Sequence, residues 1–180
     1  MTRHIAVTML FVFTLGLSSF KNAIPANAIE WISIEEALKL NKSKPKPIII
    51  DVYTDWCGWC KKMDATTFKN QEVVALMNEH FYSVKFNSET YKKDIKFNGN
   101  TFSYNPSIGR NGVHEFAVNI LQGKLSYPSY AVINEKYQLL TVIPGYQESE
   151  SFKPILKFIG EKQYEKQTFQ EFMATYNSGE

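Results

Sequence analysis

Cys57 and Cys60 are the only thiols in this 180-residue chain, and they sit in the run Asp51-Val52-Tyr53-Thr54-Asp55-Trp56-Cys57-Gly58-Trp59-Cys60. The apolar stretch from Ile48 to Tyr53 reads as a strand ending in a short polar turn, which puts Cys57 where a helix should begin. Unpaired backbone N–H groups and the dipole at a helix N-terminus favour negative charge, so a thiol there ionises below the free value of about 8.5, toward ~3.5–7.5. Cys57 is the expected nucleophile. Cys60, one turn on along the same face, can reach its sulfur to close or open a disulfide.

Two other uses of the pair compete with redox exchange. Zinc takes four ligands as a rule, and only His80 and His114 could join the thiolates, neither with the clustered spacing of a zinc module. His4 lies in a segment expected to be removed. Covalent haem attachment needs a histidine directly after the second cysteine, where Lys61 stands. A structural bridge over so short a loop would remove little entropy from the unfolded chain. Exchange is favoured and calls for no metal or cofactor, with a metal site and an inert bridge left open. Asp51 sits six residues before Cys57 inside the apolar strand, where an acid is costly unless it has a task. It is either an exposed strand-end carboxylate or a buried group, its pKa raised by desolvation, that accepts the proton of Cys60 when that thiol attacks a mixed disulfide. Lys61 reads as a solvated helix lysine.

The residues from Ile48 to Met63, Val-Lys-Phe-Asn at 84–87 and Ser-Tyr-Pro-Ser-Tyr-Ala-Val-Ile at 126–133 together resemble the thioredoxin superfamily. They look most like exported thioredoxin-like proteins whose motif continues as Cys-Lys-Lys-Met-Asp and then Thr-Phe, as residues 60–68 do. The resemblance spans about Trp31 to Gly160. It implies an α/β thioredoxin fold, with a central mixed sheet flanked by helices, and thiol-disulfide oxidoreductase activity on protein substrates. It also implies roles: Cys57 attacks, Cys60 resolves, Asp51 is the buried acid, and Lys85 in the third strand is its neighbour. Pro128 matches the proline whose peptide bond is cis beside the disulfide, and Tyr127 would present its backbone to an extended substrate. Trp56 and Trp59, on either side of Cys57, complete the substrate-facing set. The chain departs from the common pattern where Trp59 replaces a proline and where a β-hairpin insertion, at about 88–112, precedes Pro128. Reductase or isomerase-like exchange is preferred to net oxidation, because no histidine lies between the cysteines to favour a strongly stabilised thiolate. The rival reading is a peptide-binding module on the same scaffold with idle cysteines.

Residues 1–28 read as a signal peptide: Arg3 supplies the positive start, residues 5–17 are apolar, and Ala26-Asn27-Ala28 is an A-x-A cleavage signature. The apolar stretch is shorter than the ~20 residues of a membrane span, although an uncleaved anchor is the alternative. The expected mature domain, 29–180, is periplasmic or secreted, without stable membrane insertion. The removed segment holds Arg3 and Lys21 and no acid, so the formal net charge falls from +2 to zero. With neither a basic excess nor a dedicated motif, nucleic acid is not an expected partner. The expected partners are protein thiols and disulfides, together with a membrane electron donor, which a reductase outside the cytoplasm requires.

The remaining elements follow from local pattern. Ser33 with Glu36 forms a capping box, and Asn70 caps a helix over 71–79 that ends at His80. Asn98-Gly99 signals a two-residue hairpin over 93–104, with Ile95, Phe97, Phe102 and Tyr104 on one face. Asn111 or Gly112 should open the next helix, its stripe running from Val113 to Leu121 with His114 off it and exposed. Strands at 130–133 and 139–143 precede a helix capped by Ser149 or Ser151, with Pro154 in its first turn. Thr168 with Glu171 caps a terminal helix in an extension at about 161–180.

Overall fold

The computed structural model describes residues 28–178; apart from Ala28, the expected signal peptide lies outside them. The chain runs β1 (Trp31–Ile32), α1 (Ile34–Ser43), β2 (Ile48–Tyr53), α2 (Gly58–Ala65), α3 (Gln71–His80) and β3 (Tyr82–Asn87). Four short strands follow, β4 (Ile95–Phe97), β5 (Asn100–Phe102), β6 (Tyr104–Asn105) and β7 (Val113–His114), then α4 (Glu115–Ile120). The last part holds β8 (Ser129–Ile133), β9 (Leu139–Pro144), α5 (Ser149–Gly160) and α6 (Phe169–Ser178).

Five strands make one mixed sheet in the order β1-β3-β2-β8-β9. β1, β3 and β2 are parallel, and β8 and β9 return antiparallel. β2 is central and covered on both faces, which is why Ile48, Ile49, Ile50 and Val52 are all buried. Successive side chains point to opposite faces. Ile48, Ile50 and Val52 join Phe86 and Phe116 beneath α1 and α4, while Ile49 joins Met63, Phe68, Tyr130 and Phe152 beneath α2, α3 and α5. The register sets Asp51 opposite Lys85 on one side and Tyr130 on the other, so these three share the face toward α2.

Local signals hold at most element ends. The Ser33 hydroxyl accepts the Glu36 N–H at 3.1 Å, and Asn70 Oδ1 accepts the N–H groups of Glu72 and Val73. Thr168 and Glu171 bond reciprocally. The β4–β5 hairpin turns at Asn98-Gly99, both at positive φ, and pairs Ile95 with Phe102 and Phe97 with Asn100. Its inner face buries Ile95 and Phe97, with Phe102 and Tyr104 half-buried.

Three expectations are corrected. Residues 113–114 pair with 104–105 as strands, and α4 begins only at Glu115. His114 is fully buried rather than exposed: its Nδ1 accepts the Phe116 N–H and caps α4, and its Nε2 donates to the Lys93 carbonyl. α5 starts after Glu148, which makes no side-chain cap, and Pro154 stands in the second turn. Among the described residues no helix is long and apolar enough to cross a membrane.

Candidate active site

β2 and α2 meet at Cys57. The Thr54 carbonyl accepts the Cys57 N–H at 3.2 Å, tightening the turn, and α2 begins at the next residue. Cys57 is the N-cap of that helix, and its sulfur accepts the N–H of Cys60 at 3.0 Å. The two cysteines form a disulfide. Each is nearly covered, at 4% and 3% exposure, whereas Trp56 and Trp59 are 62% and 57% exposed. In the reduced protein the same N–H and the helix end would face the Cys57 sulfur, while Cys60 lies within the first turn.

Asp51 lies under α2 and is 2% exposed. Burial pushes its carboxyl up from 3.8 to about 6; the Lys85 ammonium, 3.1 Å from Oδ2, pulls it down, and the Asp64 carboxylate pushes it up. Lys85 is shared, because it also donates to Asp64. Burial alone would lower the Lys85 pKa, but the two carboxylates hold it above its ordinary value. The rings of Trp31, Tyr53 and Phe68 surround its ammonium at 4.8–5.7 Å. A titrating acid near neutrality therefore sits beneath the helix that carries both sulfurs, which suits it to receive a proton from a thiol.

Two aromatic pairs stand beside the disulfide. Trp56 meets Tyr127 edge-to-face at 5.9 Å, and Trp59 meets Tyr146 at 5.4 Å with Lys62 over both rings. The Tyr127–Pro128 bond is cis. Ser88 Oγ donates to the Tyr127 hydroxyl at 2.8 Å, and Trp56 Nε1 donates to Glu89 Oε2 at 2.9 Å.

The residues singled out in the sequence thus fall into two groups: Trp56 and Trp59 are exposed and Tyr127 half-buried, while Cys57, Cys60, Pro128 and Asp51 are buried, with Lys85 half-buried beside Asp51. His80 ends α3 and His114 is locked in its cap. Among the described residues no group of three or more His, Cys, Asp or Glu is arranged to hold a metal ion. Sequence reasoning missed Asp64, Glu89 and Tyr146. For Asp64 a signal existed, since it lies four residues after Cys60 and so on the same helical face. Glu89 and Tyr146 come from distant loops, and no spacing marks them.

The family model Thioredox_DsbH, described as "Protein of unknown function, DUF255", matches residues 16–102, a little under half of the chain. Spermatogenesis-associated protein 20 of Rattus norvegicus is 36% identical over 64 residues, which are 35% of this chain and only 8% of that protein. The match therefore spans under a tenth of that relative's own length. A solved thioredoxin-fold protein from Helicobacter pylori superposes with a TM-score of 0.56 at 18% identity, over 87% of this chain and 91% of the other. A structure of DsbH oxidoreductase gives 0.52 at 19% identity, over 75% and 86%. At these identities the likeness carries the fold alone.

Proposed function

We propose that this chain is a thioredoxin-like thiol-disulfide oxidoreductase acting on exported proteins through Cys57 and Cys60, a reading that its thioredoxin fold supports. The observation that carries the reading is the Cys57 sulfur at the N-cap of α2, bonded by the Cys60 N–H and flanked by two exposed tryptophans. The Cys57 thiolate attacks a substrate disulfide, forming a mixed disulfide while the other substrate sulfur leaves as thiolate. Cys60 then gives its proton to Asp51 and attacks the Cys57 sulfur. The second substrate sulfur departs, the 57–60 bridge closes, and two electrons have passed to the substrate.

Lys85 keeps the Asp51 carboxylate within reach of neutral pH. Trp56, Trp59 and Tyr127 form the surface on which an extended substrate lies, with Pro128 buried next to Tyr127. The preferred direction is reduction or isomerisation. Export by residues 1–28 into the periplasm or beyond then requires a membrane donor to regenerate the dithiol.

Two assays test this. The parent protein should reduce insulin with dithiothreitol, and Cys60→Ser should accumulate mixed disulfides with exported proteins through Cys57. Failure of both leaves the peptide-binding module. A reduction potential near roughly −270 mV would fix the reductant direction, and one near −120 mV would overturn it.

A further inference from the structure

A cleft of about 680 Å³ opens at Trp56, the residue that precedes Cys57. One wall is the Trp56–Tyr127 pair, the residues before Cys57 and Pro128 respectively, and the other is the loop segment 109–111. Glu89 joins the walls, its Oε2 accepting both Trp56 Nε1 at 2.9 Å and Asn111 Nδ2 at 3.1 Å. That carboxylate oxygen is occupied by donors from both sides.

The far wall is held in place by its own loop. Tyr104 donates its hydroxyl to the Asn111 carbonyl at 2.6 Å. Gly112, at φ +75°, lets the tyrosine press against the backbone; a Cβ there would lie 2.0 Å from the Tyr104 oxygen. On this fixed segment stands Arg110, exposed, and the only arginine among the described residues. No described carboxylate lies within ion-pair distance of its guanidinium. A guanidinium offers a planar fork of donors that matches a carboxylate two-to-two, and a pre-positioned backbone lowers the ordering cost of using it.

We propose that this cleft reads an acidic side chain in the substrate polypeptide near its reactive cysteine, with Arg110 as the specificity-determining residue. The proposal rests on the thiol-disulfide reading and adds the substrate class. The chemistry is unchanged: Cys57 attacks the cysteine sulfur of the bound segment, the partner sulfur of that disulfide leaves as thiolate, and Cys60 then releases the segment as a thiol.

The test uses the full reduced protein and peptides whose single cysteine is carried as a mixed disulfide with thionitrobenzoate, the release of which is followed by absorbance. One set places Glu at each of four positions on either side of the cysteine; matched sets carry Gln or Lys there. At low salt at least one Glu peptide should react roughly three- to fivefold faster than its Gln partner, the upper part of the range of an exposed ion pair. The ratio should fall toward one near 1 M salt, where the screening length is about 3 Å. Arg110→Gln should bring the ratio to about one, and Arg110→Lys should keep part of it. Equal rates for Glu and Gln throughout, faster reaction of the Lys set, or a Glu preference that survives Arg110→Gln overturns the proposal and leaves Arg110 a solvated charge. If no peptide reacts faster than with a free peptide thiol, the oxidoreductase reading itself falls and this inference with it.

Discussion

Asp51→Asn should stabilise the oxidised protein at neutral and alkaline pH while leaving its stability in acid unchanged. The carboxyl is 2% exposed, and burial outweighs the attraction of Lys85 to carry its pKa from 3.8 to about 6. Between those values the native state holds a proton that the unfolded chain has released. Stability from this group is therefore fully present below about 4, weakens as pH rises through the window, and is lost above about 6. Roughly two pH units at 1.36 kcal/mol each amount to about 3 kcal/mol. An amide of the same shape never ionises, so the variant escapes that penalty, and Lys85 keeps its bond to Asp64. For a domain of this size the gain corresponds to a rise in melting temperature of roughly 6–12 °C. Guanidinium unfolding of both proteins, disulfide intact, at pH 3 and pH 8 reads the difference directly. Equal midpoints at pH 8, or a gain just as large at pH 3, would refute the reasoning, because either result means desolvation does not govern this carboxyl. The same variant should prolong the mixed disulfide at Cys57, since an amide cannot take the proton of Cys60.

Other sites give sharper local tests. Asp64→Asn removes the second carboxylate from Lys85 and a negative charge that raises the Asp51 pKa, so the pH profile of the resolving step should move to lower pH; an unmoved profile would detach Asp64 from the site. Asn70→Ala deletes the acceptor for two N–H groups of α3 and should cost about 1 kcal/mol, seen as a lower denaturant midpoint with unchanged slope. Gly112→Ala combines a positive φ with a clash against Tyr104 and should destabilise by roughly 1–3 kcal/mol, with a lower melting temperature and a weakened hold on the loop carrying Arg110.

Much of the site was legible because its parts lie close in sequence. The strand from Ile48 to Tyr53, the polar turn and the Cys-x-x-Cys spacing together imply a thiol at a helix start, and Cys57 does cap α2. The hairpin register followed from Asn98-Gly99, because a two-residue loop fixes which side chains face each other. The errors cluster where a local pattern competes with a distant partner. The stripe from Val113 to Leu121 promised a longer helix, but residues 113–114 pair with 104–105 instead. His114, although off that stripe, finds a carbonyl at Lys93 and a backbone N–H at Phe116, and so is buried without an unpaired nitrogen.

Sequence alone determined the Cys57-x-x-Cys60 pair at the start of a helix, the strand that leads to it and the caps of α1, α3 and α6, all set by spacings of a few residues. Only the tertiary structure decided how charge is shared: that Lys85 serves Asp51 and Asp64 together, that Glu89 ties Trp56 to Asn111, and that no described carboxylate pairs with Arg110 beside the cleft. A hydrophobic period records which face of an element is buried. An ion pair depends on which elements the packed sheet brings within a few ångströms, and that distance is written nowhere in the order of the residues.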